Sequence, residues 1–216
     1  MASFGPSAVG AVLFSCTLLP VAASAADVGG DPRPSAPYVL HVRWVEIDTT
    51  CPVDTAEVER EVRRILAPAG IDLAWSIGDV RAEAAPDVVH VIVLSSALGR
   101  RGHRTMGATF LNWGKGAWVS CPEVARTLNV TVRSCGDDCR RDMSTAMGRV
   151  VAHELVHVVA PEVRHAGAGV MAAVLSARDL RRDGLGLDPD ARRAIRARLM
   201  AGAVGLGPRV ATRGPS

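Results

Sequence analysis

His153, Glu154 and His157 stand in the order H-E-x-x-H inside the apolar run Val150 to Val159. On a helix, residues four apart share one face about a turn apart, so both imidazoles can converge on one metal ion with Glu154 beside them. Zinc takes neutral imidazole nitrogens and keeps a position for water, and a neighbouring carboxylate can accept that water's proton. The chemistry implied is metal-assisted hydrolysis, with Glu154 as general base. The plainer reading of the same residues is a pair of histidines packed in a core helix.

A hydrolytic zinc centre needs a third protein ligand. Three residues compete for it: His165, Glu162 and Asp179. Pro161 cannot continue a helix and disfavours helical backbone at Ala160, so the chain must turn between Val159 and Glu162. His165 follows that turn, and Gly167 and Gly169 give the chain the freedom to loop beneath the site to Met171. Glu162 sits too close behind Pro161 to swing back. Asp179 falls on the next predicted helix and is the serious competitor to His165. Met171 reads as a buried methionine and not as a ligand.

These residues need a scaffold. Tyr38 to Ile47 alternates apolar and polar residues, which predicts a first strand. A helix follows, capped by Asp54 with Glu57 three residues on; Val58, Val62, Ile65 and Leu66 repeat at helical spacing until Pro68 and Gly70 stop it. Ile71 to Ile77 predicts a second strand, and the continuous apolar run Val88 to Leu94 a third, buried on both faces. Met106 to Leu111 and Gly116 to Ser120 read as two short strands joined by a hairpin-like connection at Asn112 to Lys115. The motif helix runs from about Asp142 to Val159. Two short helices, Ala177 to Asp183 and Asp188 to Met200, complete the chain as a small subdomain. The order implies an α/β (α+β) layered domain with a mixed sheet over 38–201.

Met1 to Ala25 is apolar and rich in small residues, ending in Ala23-Ser24-Ala25, which reads as a signal peptide with its cleavage site. Residues 26–37 read as a linker and 202–216, rich in Gly and Pro, as a disordered tail. Roughly 190 residues remain after cleavage, enough for one domain with its own core. Of five cysteines, Cys16 would be lost with the leader, leaving Cys51, Cys121, Cys135 and Cys139. An even count in an exported chain favours two disulfides, with three connectivities open. The rival reading, a second metal site on Cys135 and Cys139, lacks a second close pair.

The formal net charge is only +3, and the sole lysine is Lys115. The basic excess lies after Ser176, where a charge run reads as a solvated helix face and not as a nucleic-acid surface. His41 and His90 fall within strands, where packed or surface histidines are expected. His103 and Trp113 fall in loops near the cleft that the short strands would border.

The element order and the motif resemble the metzincin superfamily of zinc peptidases. Its long signature is H-E-x-x-H-x-x-G-x-x-H followed by a methionine turn. His153, Glu154 and His157 match, whereas Ala160 stands at the glycine and Val163 at the third histidine. His165 lies two residues further on, and Gly169-Val170-Met171 resembles the lead into the methionine turn. The stretch is also similar to a pattern among predicted bacterial peptidases, with seven residues between the second and third histidines. The resemblance implies a twisted mixed sheet with one antiparallel edge strand, a backing helix and an active-site helix. It implies Zn2+ held by His153, His157 and His165, Glu154 as base, and Met171 in the turn. It also places Gly107, Ala108 and Thr109 on the edge strand, where a peptide or protein substrate would add as a further strand. The function it implies is a secreted or periplasmic zinc metalloendopeptidase, without stable membrane insertion after cleavage. The alternative is a catalytically silent module in which zinc is structural.

Overall fold

Tyr38–Ile47 forms strand β1, with Leu40, Val42 and Trp44 fully buried on one side of its alternation. The computed structural model describes residues 37–47, 51–79, 88–98, 105–111 and 115–202. The expected signal peptide, nearly all of the linker, the tail beyond 202, the loop at 112–114, His103 and Trp113 lie outside those residues.

Asp54 caps helix α1 (Thr55–Leu66) by accepting from the Ala56 N–H, and Val58, Val62, Ile65 and Leu66 supply its buried stripe. A 3-10 turn at Ala67–Ala69 and a left-handed Gly70 return the chain to β2 (Ile71–Gly78). Then come β3 (Val88–Leu94), β4 (Gly107–Phe110) and β5 (Gly116–Ser120). The sheet order is β2-β1-β3-β5-β4. All its pairings are parallel except β4 with β5, so the sheet is mixed with one antiparallel strand at its edge.

Two expectations need correction. The first is that β3 is buried on both faces: Val89, Val91 and Val93 are fully buried, while Val88, His90, Ile92 and Leu94 are only half-buried. The buried set shares a core with α1 and the motif helix, whereas the opposite face of the sheet carries a half-exposed Trp118 and Val39. The second concerns Cys121–Leu128, which forms a helix, α2, that the strand-to-motif reading passed over. Ser120 caps it, Pro122 sits in its first turn and Asn129 ends it in the left-handed region.

The motif helix α3 begins earlier than Asp142 and spans Asp137–Val159. Its middle is buried nearly all round, as expected of a helix enclosed by the sheet, α1 and the C-terminal elements. Those elements are α4 (Ala177–Arg181) and α5 (Pro189–Met200), capped by Ser176 and Asp188 respectively. Two disulfides resolve the open connectivity: Cys51 pairs with Cys121, and Cys135 with Cys139. The second accounts for the close cysteine pair without a metal.

Behind the site, Arg149 of α3 is almost fully buried and donates to Glu61 of α1 at 2.8 Å and to the Asp179 carbonyl at 2.9 Å. Arg64 joins the same carboxylate and reaches the Leu185 carbonyl at 2.6 Å. The two arginines therefore tie α1 and α3 to the C-terminal segment.

Candidate metal centre

His153 and His157 project from one face of the last turns of α3, and their rings meet at a centroid distance of 4.9 Å. The helix stops where Pro161 requires: Ala160 has φ −136° and ψ 77°, outside the helical region. The turn is anchored by Val163, whose N–H donates to the Ala160 carbonyl at 3.0 Å and whose side chain is buried. A histidine at position 163 would thus sit where the chain buries an apolar side chain. Two residues on, His165 returns to the cluster: its Nε2 lies 3.2 Å from His153 Nε2 and 3.3 Å from His157 Nε2.

Below the rings runs the segment Gly169-Val170-Met171. His153 Nδ1 lies 2.8 Å from the Val170 carbonyl, which fixes the tautomer with the proton on Nδ1 and the Nε2 lone pair facing the cluster. Gly169 has φ +79° and lies against the Gly186 carbonyl, while the Val170 N–H donates to that same carbonyl at 3.0 Å. The Met171 side chain is fully buried, and its carbonyl accepts from the Ala166 N–H at 2.7 Å. Of the two glycines expected to help this loop, only Gly169 uses the left-handed region.

The donor set suits zinc. Tetrahedral coordination with Zn–N of about 2.0–2.1 Å separates ligand nitrogens by about 3.3–3.4 Å, and the spacing from His165 to its two neighbours is 3.2 and 3.3 Å. The three histidines are also the one group among the described residues with ligand atoms close enough to share an ion. Burial pushes His153 below the ordinary histidine value, opposed by its bond to Val170. Burial, then the charges of His153 and His165, take His157 down to about 4, against a hydrogen bond to the Val163 main chain. Both rings are therefore neutral near pH 7, the form a metal requires.

Asp179 lies elsewhere. Its carboxylate accepts from the Ser176 N–H at 3.0 Å and the Ser176 hydroxyl at 2.6 Å, closing a capping box on α4. Those bonds hold its carboxyl pKa below the usual carboxylate range. Glu162 points instead to Arg198, 3.5 Å away.

Glu154 is buried, and burial raises its carboxyl above the usual value, against a hydrogen bond from Thr109 and the charge of His165. It faces the edge strand β4. Thr109 Oγ1 lies 2.7 Å from Glu154 Oε2, and a Cβ on Gly107 would stand 2.6 Å from Oε1. This contact escaped the sequence reading, because nothing in a G-x-T tripeptide marks it as adjacent to a residue 45 positions on.

No family model matches the sequence, and no curated protein is significantly similar to it. Solved structures do match the fold. Archaemetzincin from Methanopyrus kandleri superposes with a TM-score of 0.53 at 16% identity, over 78% of this chain and 98% of that one. A zinc-dependent peptidase from Methanocorpusculum labreanum gives 0.50 at 12% identity, over 73% of this chain and 99% of that one. At such identities the likeness is one of architecture: this chain has the mixed sheet, antiparallel edge strand and helices of those structures.

Proposed function

We propose that the chain is a secreted zinc-dependent metalloendopeptidase of metzincin type. The observation that carries this reading is the convergence of His153, His157 and His165 through Nε2 atoms at zinc-ligand spacing. Glu154 adjoins them and faces the edge strand. The zinc peptidases that share the fold lend support to the same reading.

In this proposal His153, His157 and His165 hold the ion, and bound zinc supplies Lewis acidity that brings a water's pKa to about 7 and polarises a carbonyl. Glu154 takes the proton of the attacking water and passes it to the leaving amine. Gly107, Ala108 and Thr109 receive the peptide. The Ser120 N–H donates to the Met106 carbonyl, so Met106 and Ala108 turn their main-chain groups to β5. Gly107 and Thr109 therefore turn theirs to the open edge, where an extended substrate adds by hydrogen bonds. Two disulfides agree with an oxidising, extracytoplasmic location, and among the described residues no helix is long and apolar enough to cross a membrane.

Metal analysis of the purified protein, paired with cleavage of a mixed peptide library, tests the proposal. One zinc per chain, hydrolysis by the wild type and its loss in Glu154→Ala with zinc retained are expected. Zinc without hydrolysis by the wild type would leave the structural zinc module, and absence of zinc a metal-free scaffold.

A further inference from the structure

Thr109 carries two contacts that bear on the proposed reaction. Its main-chain N–H and carbonyl face the open edge of β4, as the alternation set by Met106 and Ser120 requires. Its side chain stands off the sheet plane towards α3, on the same face as Ala117, its partner across the strand pair, which is fully buried. There the hydroxyl lies 2.7 Å from Glu154 Oε2 and 3.3 Å from the Glu154 carbonyl oxygen. The single hydroxyl proton goes to the nearer carboxylate oxygen, and the carbonyl oxygen at 3.3 Å is a weaker second acceptor on the same residue.

The other carboxylate oxygen lies against Gly107, in the place that a side chain there would occupy. A Cβ at Gly107 would come within 2.6 Å of Oε1, 2.8 Å of Cγ and 2.9 Å of Cδ. All three are nearer than a real Cβ can approach, so any side chain at 107 would drive the carboxylate out of its position. Gly107 makes the slot and Thr109 latches the group within it.

We infer that Thr109 is a positioning residue: its hydroxyl holds the Glu154 carboxylate in the orientation used for proton transfer, while its main chain binds the substrate strand. The inference rests on the peptidase reading. It departs from a purely main-chain role for the edge strand, because it assigns the Thr109 side chain a task in the chemical step. Proton transfer tolerates little misplacement: about 1 Å can cost on the order of a hundredfold in rate. A valine keeps the shape of threonine and removes the donor; serine keeps the donor and removes the methyl.

The test compares the zinc-loaded wild type with Thr109→Val, Thr109→Ser and Gly107→Ala in the full chain. The readouts are bound zinc, kcat and KM on one cleaved peptide, and the carboxyl 13C resonance of Glu154, assigned by its disappearance in Glu154→Gln. Thr109→Val is expected to keep its zinc and its KM, to shift the Glu154 resonance and to lose on the order of tenfold to a hundredfold in kcat. Thr109→Ser restores both kcat and the resonance. Gly107→Ala, which retains the hydroxyl, loses kcat by displacing the carboxylate and covers the case in which the valine variant does not fold. An active wild type with Thr109→Val equally active, a serine variant as slow as valine, or an unmoved resonance overturns the inference alone. A zinc-loaded wild type that cleaves nothing overturns the peptidase reading, and the inference with it.

Discussion

His153 Nδ1 and the carbonyl oxygen of Val170 are 2.8 Å apart, joining the motif helix to the segment that leads into Met171. That bond orients the ring and sets which nitrogen faces the cluster, a role that second partners of metal-binding histidines commonly serve. The Val170 carbonyl is aimed by its neighbours: Gly169 in the left-handed region before it and the buried Met171 after it.

Gly169→Ala should therefore weaken metal binding without touching a ligand. An alanine at φ +79° is strained, and its Cβ would stand 3.0 Å from the Gly186 carbonyl. Tilting the Val170 carbonyl away from His153 is expected to cost about 10- to 100-fold in zinc affinity, read by competition with a chelator. Affinity equal to wild type would detach the Val170 contact from metal binding.

Replacing His165 and Asp179 separately by alanine distinguishes the two candidate third ligands. His165→Ala should lose bound zinc, because it removes the nitrogen that lies within 3.3 Å of both other rings. Asp179→Ala should keep zinc and lose only the carboxylate half of the α4 capping box, less than about 1 kcal/mol of stability. Undiminished zinc in His165→Ala, measured on the dialysed protein, contradicts the assignment.

Which parts of the site and fold are legible in the sequence is a matter of range. The spacing of His153, Glu154 and His157 is intrahelical, so one period decides their geometry. The turn at Ala160 follows from one proline, and the sheet follows from strand runs whose alternation or apolarity is local. Helix α2 is not legible because it starts directly where β5 ends, with Ser120 serving as both the last strand residue and the cap. The half-open face of β3 is not legible because an apolar run does not say how many layers cover it. Thr109 and Arg149 depend on neighbours far along the chain, and no local pattern carries such a contact.

Arg149 gives a prediction about stability. It is 4% exposed at the side chain and faces Glu61 at 11%, so removing the carboxylate strands a buried cation. Glu61→Gln is expected to cost about 3 kcal/mol or more in urea unfolding; a loss under about 1 kcal/mol, the scale of a surface pair, would mean that solvent reaches the arginine. Burial raises the Glu61 carboxyl, but hydrogen bonds from Arg64 and Arg149 and their charges outweigh it, and the net direction is down. A lowered folded value means that the unfolded chain takes up this proton first. The contribution is full above the unfolded glutamate value of about 4.3 and is lost as pH falls through the lower folded value. Glu61→Gln should accordingly lose part of the acid-limb steepness of the wild type.

The Cys51–Cys121 bridge closes 70 residues of chain, from the end of β1 to the first turn of α2. In the loop-entropy description a bridge of that span is worth about 4 kcal/mol, whereas one like Cys135–Cys139 is worth about 2. The double variant Cys51→Ser, Cys121→Ser should therefore melt well below Cys135→Ser, Cys139→Ser. Equal melting temperatures would show that residual structure already restricts the long loop in the unfolded chain.

The histidine cluster predicts how the metal-free protein responds to acid. His157 in the folded chain protonates only near 4 and His153 also lies below its ordinary value, burial being the first cause for each. The unfolded chain protonates its histidines near about 6.5. Between these values the unfolded state binds more protons than the native one, so native stability falls with falling pH across that window and not above it. After chelator treatment, the melting temperature should hold level from pH 8 to about 6.5 and decline towards pH 4, ahead of most carboxylate titration. His157→Gln should flatten the decline, because an amide keeps a polar side chain at the position without a proton to take up. A wild-type profile that stays level to pH 5 would mean that the rings exchange protons as freely in the folded chain as in the unfolded one.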